Sequence, residues 1–226
     1  HGSAATSHRW PTLNELARGF RVGNAQTLPN PNLQPERAVS FEAGATWDAA
    51  RVRLGATAFR AVVHDAIANV TLPSLTGIVR ERQNAGDAVS TGVEADLEWR
   101  VGRAVRLTSS LTWVDASFEN SREPAIEGKQ LPQVPDVSAT VSGLFTYRWM
   151  SATVLLRTTG HQFDDDRNAF RLAPATQVDA TVSGRVRSVR VFVAGENLLD
   201  ARIETGRTPL VTLAPGRAVR AGVQVL

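Results

Sequence analysis

The stretch AVSTGVEADLEWRVGRAVRLTSSLTWVDASF, residues 88–118, decides the fold. In its first half, Val93, Ala95, Leu97 and Trp99 occupy every second position, with carboxylates between them. Because successive side chains of a strand point to opposite faces, this pattern predicts a strand with one apolar and one charged face. The second half repeats the alternation after the short link 101–103, so the stretch predicts a β-hairpin.

The same period of two recurs along most of the chain and predicts about nine complete strands, plus the end of a tenth before Pro11. The predicted strands are 39–48, 51–64, 88–100, 104–118, 136–149, 150–159, 176–185, 188–198 and 217–226. Short and long connections alternate strictly between them. A bacterial outer-membrane barrel has this asymmetry, whereas a soluble sandwich does not require it. The predicted fold is therefore all-β, an antiparallel up-and-down transmembrane β-barrel of about ten strands.

Composition narrows the classes of function. The 226 residues carry a formal charge of +3 with acids and bases interspersed, so no nucleic-acid partner is expected. The absence of cysteine excludes disulfides and thiolate sites. No apolar run is long enough for a transmembrane helix, but a membrane strand needs only about 9–11 alternating residues. Residues 1–3 resemble the remnant of an expression tag, so we expect a single barrel domain over residues 4–226.

Aromatic residues on the apolar face point to a membrane boundary. Trp47, Trp99 and Trp149 each lie next to a predicted short turn, and Tyr147 accompanies the last of them. Indole rings favour the headgroup region, so these residues predict an aromatic belt against a lipid bilayer. Ordinary core packing of aromatic side chains at strand ends is the alternative. Core packing, however, does not require the tryptophans to lie at the same height along the strands.

The opposite face carries the charges. In a membrane barrel these side chains would line a wet interior and pair across strands, whereas a dry soluble core could not accept them. The predicted lumen-lining residues are Glu42, Glu94, Asp96, Glu98, Arg100, Arg106, Arg157, Asp179 and Arg190.

One long loop supplies candidate ligand contacts: His161, Asp164, Asp165, Asp166 and Arg167. Hard cations such as calcium take several carboxylate oxygens, but adjacent residues cannot all reach one ion. A solvent-facing acidic tip is therefore favoured, with no metal site and no cofactor. The sequence contains no nucleophile elbow and no zinc motif, so it is not expected to be an enzyme.

Several segments resemble one family, the TonB-dependent outer-membrane receptors. The matching segments are PTLNELARGF at 11–20, NPNLQPER at 30–37, GKQLPQVP at 128–135, GENLLDARIETGR at 195–207 and the closing APGRAVRAGVQVL. The resemblance implies the carboxyl-terminal half of a twenty-two-stranded barrel in the cell outer membrane. In such a receptor an amino-terminal plug and the TonB protein would be partners, and the cargo would be an iron chelate, cobalamin or a carbohydrate.

The residues also leave a second interpretation open. About ten strands could close on themselves, or two chains could close together as a homo-oligomer, to form a barrel with a binding or structural role and no transport. Strand edges left unpaired would otherwise aggregate.

Overall fold

A computed structural model describes residues 1–225 of the chain. The elements in chain order are β1 (Gly2–Arg9), α1 (Leu13–Ala17), β2 (Phe20–Val22), β3 (Ala25–Leu28), β4 (Glu36–Asp48), β5 (Val52–His64), β6 (Ile67–Leu72), β7 (Ile78–Asn84), β8 (Asp87–Val101), β9 (Val105–Glu119), β10 (Val137–Tyr147), β11 (Met150–Thr159), β12 (Gln162–Phe163), β13 (Arg171–Leu172), β14 (Ala175–Val186), β15 (Val189–Glu196), β16 (Glu204–Gly206), β17 (Thr212–Leu213) and β18 (Ala218–Val225).

Ten of these strands form one antiparallel sheet, in the order β1-β4-β5-β8-β9-β10-β11-β14-β15-β18. Each strand pairs with the next long strand along the chain, which is the up-and-down arrangement predicted for a barrel. Nine of them lie where the alternation places strands, with ends that differ by at most three residues. The last residue of the predicted strand 217–226, Leu226, lies outside the described residues.

The tenth strand, β1, begins earlier than expected. Gly2 pairs with Ala43 and Ser3 pairs with Glu42, so two residues of the tripeptide set apart from the fold belong to the sheet. Backbone pairing does not depend on side-chain pattern, which is why the weak alternation of GSAATSHR hid this strand. The origin of the tripeptide as a tag remnant, and the single domain over residues 4–226, stay predictions.

The sheet is open. Within residues 1–225, β1 pairs only with β4, and β18 pairs only with β15. A single copy of this chain therefore does not close on itself here, and both outer strands present unpaired backbone groups.

Short and long connections fall at opposite ends of the sheet. The short ones are residues 49–51, 102–104, 148–149 and 187–188, and the long ones contain the remaining elements. The helical turn α1 lies in the first long connection, where Thr12 and Glu15 form a capping box. A second sheet, in the order β2-β3-β7-β6, joins two long connections through a parallel β3–β7 pair.

The buried core lies among these long connections. Val70, Ala85, Phe118 and Ile126 pack together with exposures of 3% or less, and Ala68 and Leu131 pack against them. Phe118 is near the end of β9, while the others come from connections. Burial of these side chains fixes the loops on the sheet by the hydrophobic effect.

Two glycines of the large sheet are covered by aromatic rings from the neighbouring strand. Phe59 is the register partner of Gly92, and Phe192 is the register partner of Gly222. A Cβ on Gly92 would lie 2.6 Å from Phe59 Cζ and would also press on the backbone of β9. The ring therefore occupies the volume that any other residue at position 92 would need, and its cover leaves Gly92 buried.

We expect Gly92→Ala to destabilise the folded barrel by about 1–3 kcal/mol, because the added methyl group overpacks against Phe59 and β9. Urea unfolding followed by tryptophan fluorescence would measure the change. Gly143→Ala is the matched control, since its Cβ would lie 3.4 Å from Leu107 Cδ2, an ordinary contact. Equal stability of the two variants would contradict this packing account.

Candidate ligand-binding surface beneath the long loops

The strand register places the nine predicted lumen-lining residues on one face of the sheet. Glu94 lies opposite Thr57, Asp96 opposite Gly55 and Glu98 opposite Arg53, and the same parity continues across the other strands. This charged face carries Glu42, Glu94, Asp96, Glu98, Arg100, Arg106, Arg157, Asp179 and Arg190. That it lines a lumen stays a prediction, because the sheet is open.

Cross-strand ion pairs hold part of this face together. Glu98 Oε1 lies 3.7 Å from Arg106 Nε on the neighbouring strand and 3.0 Å from Arg100 Nε on its own strand, so one carboxylate pairs with two arginines that are register partners. Arg157 and Asp179 form a second pair. Pairing across strands lowers the repulsion that like charges would otherwise create on one wall.

The other face is exposed and mostly apolar, with Arg60 and Asp115 as charged residues toward the long connections. Trp47, Trp99, Tyr147 and Trp149 are between 43% and 62% exposed and lie next to the short connections. That these four residues form a belt at a membrane interface stays a prediction. Exposed valines and leucines cover much of the face between them and the long connections. Sheet faces of this kind require a covering of low polarity.

A cavity of about 410 Å³ lies where the charged face meets the long connections. Strand ends form its floor, and the connections around β6, Pro132 and Asp164 form its walls. Its polar and charged lining residues are Glu36, Asn69, Arg80, Asp164, Asp165 and Asp166. A concave site that combines apolar side chains with a set of polar groups is the usual form of a small-molecule site.

The acidic triplet in this wall is not the solvent-facing tip that the sequence predicts. Asp165 and Asp166 are 5% and 2% exposed. Asp166 accepts hydrogen bonds from Thr71 N at 2.7 Å and Thr71 Oγ1 at 2.6 Å. Asp165 accepts one from Phe170 N at 2.8 Å. The expectation was wrong because the distant residue Thr71 binds Asp166, while the turn that follows the triplet supplies the donor for Asp165.

Asp164 joins three connections. Its Oδ2 accepts hydrogen bonds from Thr208 Oγ1 at 2.7 Å, Thr208 N at 2.7 Å and Arg207 N at 2.8 Å, and Gln133 Nε2 donates to Oδ1 at 2.7 Å. Burial alone would raise the pKa of Asp164, but these hydrogen bonds outweigh it and hold the pKa below its ordinary value. The charged carboxylate is therefore the form that holds the loops together.

His161 and Arg167 flank the triplet. Arg167 donates to the Thr71 carbonyl, but its Nε atom is buried without a partner, as is Nδ1 of His161. As contacts for a ligand, these two residues and the three aspartates stay a prediction. In residues 1–225, no cluster of three or more His, Asp or Glu is arranged to hold a metal ion. The described part also contains no helix long and apolar enough to cross a membrane.

Glu36, at the start of β4, is a structural residue that the sequence analysis missed. Its carboxylate accepts hydrogen bonds from Arg9 and, at 2.6 Å, from Ile67 N. Arg9 also lies 3.0 Å from Glu15. The segment NPNLQPER thus connects β1, α1 and β6. Its resemblance to a segment of the family was the signal in the sequence that could have pointed to this structural role.

Asn197, in the segment GENLLD, is a second structural residue that attaches a long connection to the sheet. It is 2% exposed, yet its side chain exchanges hydrogen bonds with the Ala201 backbone at 2.9 Å in both directions. Its backbone N donates to Asp179 Oδ1 at 2.9 Å. A buried amide with its polar atoms satisfied closes the base of the loop onto β14.

A family model described as TonB dependent receptor-like, beta-barrel matches residues 1–198. The chain belongs to the TonB-dependent receptor family. Receptors of this family are outer-membrane proteins. The pesticin receptor of Yersinia enterocolitica is 23% identical over 225 residues, covering 93% of this chain and 33% of that protein. The metal-pseudopaline receptor CntO of Pseudomonas aeruginosa is 26% identical over 209 residues, covering 88% of this chain and 29% of that protein.

Solved structures agree on the fold. The ferric yersiniabactin uptake receptor FyuA from Yersinia pestis superposes with a TM-score of 0.73 at 20% identity, covering 99% of this chain and 34% of that one. The copper transporter OprC gives 0.75 at 18% identity, covering 98% of this chain and 36% of that one. The chain thus spans about a third of the length of these relatives. They are named as receptors or transporters, not enzymes.

We expect Asp164→Asn to loosen the connection around β16 and β17, because the amide loses charge and one acceptor. Each hydrogen bond to a charged group contributes about 1.5–3 kcal/mol, so amide hydrogen exchange in residues 204–213 should rise at least about ten-fold. Asp115→Asn is the control, since Asp115 is exposed and its carboxylate forms none of the side-chain hydrogen bonds or ion pairs found in residues 1–225. Unchanged protection in Asp164→Asn would show that Thr208 and Arg207 are held by other contacts.

Acidification should release the same connection. The pKa of Asp164 is lower in the folded state, so its contribution to stability is complete above the ordinary aspartate pKa of about 4 and is lost as pH falls through the lower, folded value. Hydrogen exchange of residues 204–213, corrected for intrinsic rates, would measure this loss between about pH 4 and pH 2. Asp164→Asn should abolish most of the pH dependence, and an identical acid response in that variant would contradict the assignment.

Proposed function

We propose that this chain is the carboxyl-terminal barrel portion of an outer-membrane TonB-dependent receptor that takes up a scarce ligand. The family match over residues 1–198 carries the proposal. The apolar outer face would contact lipid, and the charged face would contact the plug domain inside the complete barrel of such a receptor. Energy for uptake would come through TonB, which acts on parts of the receptor outside this chain.

Among iron chelates, cobalamin and carbohydrates, a metal or metal chelate is the class that the relatives favour. FyuA is titled a ferric yersiniabactin uptake receptor, CntO a metal-pseudopaline receptor and OprC a copper transporter. These ligands belong to those proteins, and identities of 26% or less do not transfer any one of them.

The cavity under the long loops supplies a place for part of such a ligand. Its carboxylates are occupied by loop donors: Glu36 by Ile67, Asp164 by Thr208 and Asp166 by Thr71. Arg80 lines the same cavity and donates a single hydrogen bond to Thr208 Oγ1 at 2.9 Å, which leaves guanidinium donors for an anionic chelate.

The open edges of the sheet bear on the alternative of a barrel without transport. Edge strands need partners, and the remaining strands of a longer receptor would supply them to β1 and β18. A second copy of the chain could supply them too. A mass in detergent equal to two chains, obtained without any other segment of the receptor, would favour that alternative.

Uptake of radiolabelled iron and copper, each presented free and as chelates, tests the transport proposal in a strain lacking its own receptors. Cells that express the full-length receptor should accumulate one class of complex, and deletion of TonB should abolish the accumulation. Uptake that persists without TonB, or accumulation of none of the complexes, would contradict the proposal.

Arg80→Gln should weaken binding of the transported chelate about ten-fold, the loss expected for a charge-assisted hydrogen bond. Titration of the purified receptor would measure the dissociation constant. Arg122→Gln is the matched control, because Arg122 is an exposed arginine of another long connection. Equal affinities in the two variants would remove Arg80 from the ligand site.

A further inference from the structure

Each of the four short connections carries an arginine. Arg51, Arg103, Arg148 and Arg187 are all exposed, and within residues 1–225 none of them forms an ion pair with a carboxylate. No aspartate or glutamate lies in residues 49–51, 102–104, 148–149 or 187–188. We call these four residues the short-turn arginine row.

The charge of the surrounding end of the sheet has the same sign. Residues 48–53, 98–106, 146–151 and 184–191 contain nine arginines and two carboxylates, a formal charge of +7. The whole chain carries only +3, which leaves −4 for the remainder. The short-turn end is therefore strongly cationic, while the rest of the chain is slightly acidic. Such an asymmetry creates a local field that attracts anions.

The row lies directly beside the outward aromatics. Arg100 N donates to Arg51 O at 2.8 Å, so the first turn adjoins the strand end that carries Trp99. The Arg148 guanidinium carbon lies 5.2 Å from the centre of the Tyr147 ring. Near the end of β14, just before the fourth turn, Arg185 N donates to Trp149 O at 2.8 Å. Since aromatic belts mark the headgroup level, the arginines just beyond them fall at the level of lipid phosphates.

We propose that the short-turn arginine row binds the phosphate groups of anionic phospholipids, in the leaflet that the short turns face. The inference rests on the proposed function, because it requires the apolar face to cross a membrane. Charge complementarity selects the occupant, because one guanidinium group can donate two parallel hydrogen bonds to the oxygens of one phosphate. The adjacent indole and phenol rings would pack beside the glycerol and the upper acyl chain of the same lipid. The row thereby fixes the depth of the barrel and prefers lipids with a net negative charge.

Spin-labelled lipids test the proposal in vesicles of phosphatidylcholine that contain the full-length receptor. We expect labelled phosphatidylglycerol to associate about five-fold more strongly than labelled phosphatidylcholine at low salt, the ratio that corresponds to about 1 kcal/mol per arginine near an anionic group. The preference should shrink at about 1 M salt, where charges are screened within about 3 Å.

The quadruple variant R51Q/R103Q/R148Q/R187Q should bring the two lipids close to parity. The control R18Q/R122Q/R171Q/R202Q removes the same charge from exposed arginines at the long-loop end and should keep the preference. Parity in the unmodified receptor, or an equal loss in both variants, would overturn the inference while leaving the membrane barrel intact. Absence of a motionally restricted signal with either lipid would overturn the membrane barrel as well.

Discussion

Backbone pairing between neighbouring strands is the constraint on which the rest of this structure depends. In a hydrocarbon environment each peptide N–H and C=O must find a partner within the protein, and only closed sheets or helices can provide them. The ten-stranded sheet satisfies this demand between its outer strands, and its antiparallel register determines which side chains face which solvent. A shift of one residue would place Glu94 and Asp96 among the tryptophans and valines. Register and side-chain pattern therefore have to agree along every strand.

This dependence explains why the sheet could be predicted from the sequence and the loops could not. The face of the sheet on which Val93, Leu97 and Trp99 lie can be predicted from their positions in the sequence alone, because a strand has a fixed period of two. The loops have no such period. The parallel pairing of β3 with β7 joins residues about fifty positions apart. Neither segment has a sequence pattern that predicts the other as its partner. The burial of Asp166 follows from its hydrogen bonds to Thr71, which lies 95 positions earlier in the chain.

The family-like segments have a shared physical role in this fold. Glu36 in NPNLQPER and Asn197 in GENLLD each satisfy backbone donors at the point where a strand enters a long connection. Neither residue needs a ligand to explain its contacts. Such residues attach loops to strands, and they carry little information about what the loops bind. The sequence accordingly identified the family more readily than the cargo.

Two of the hydrogen-bonded aspartates also limit how the long loops can change in evolution. Asp164 and Asp166 tie the segments around Thr71, Gln133 and Thr208 to one another, so these segments do not vary independently. A substitution that suits a new cargo in one of them shifts the others and requires compensating changes there. Specificity should therefore be inherited as a block. An engineer who transplants a single loop between relatives would disrupt the assembly, whereas transplanting the linked set would preserve it.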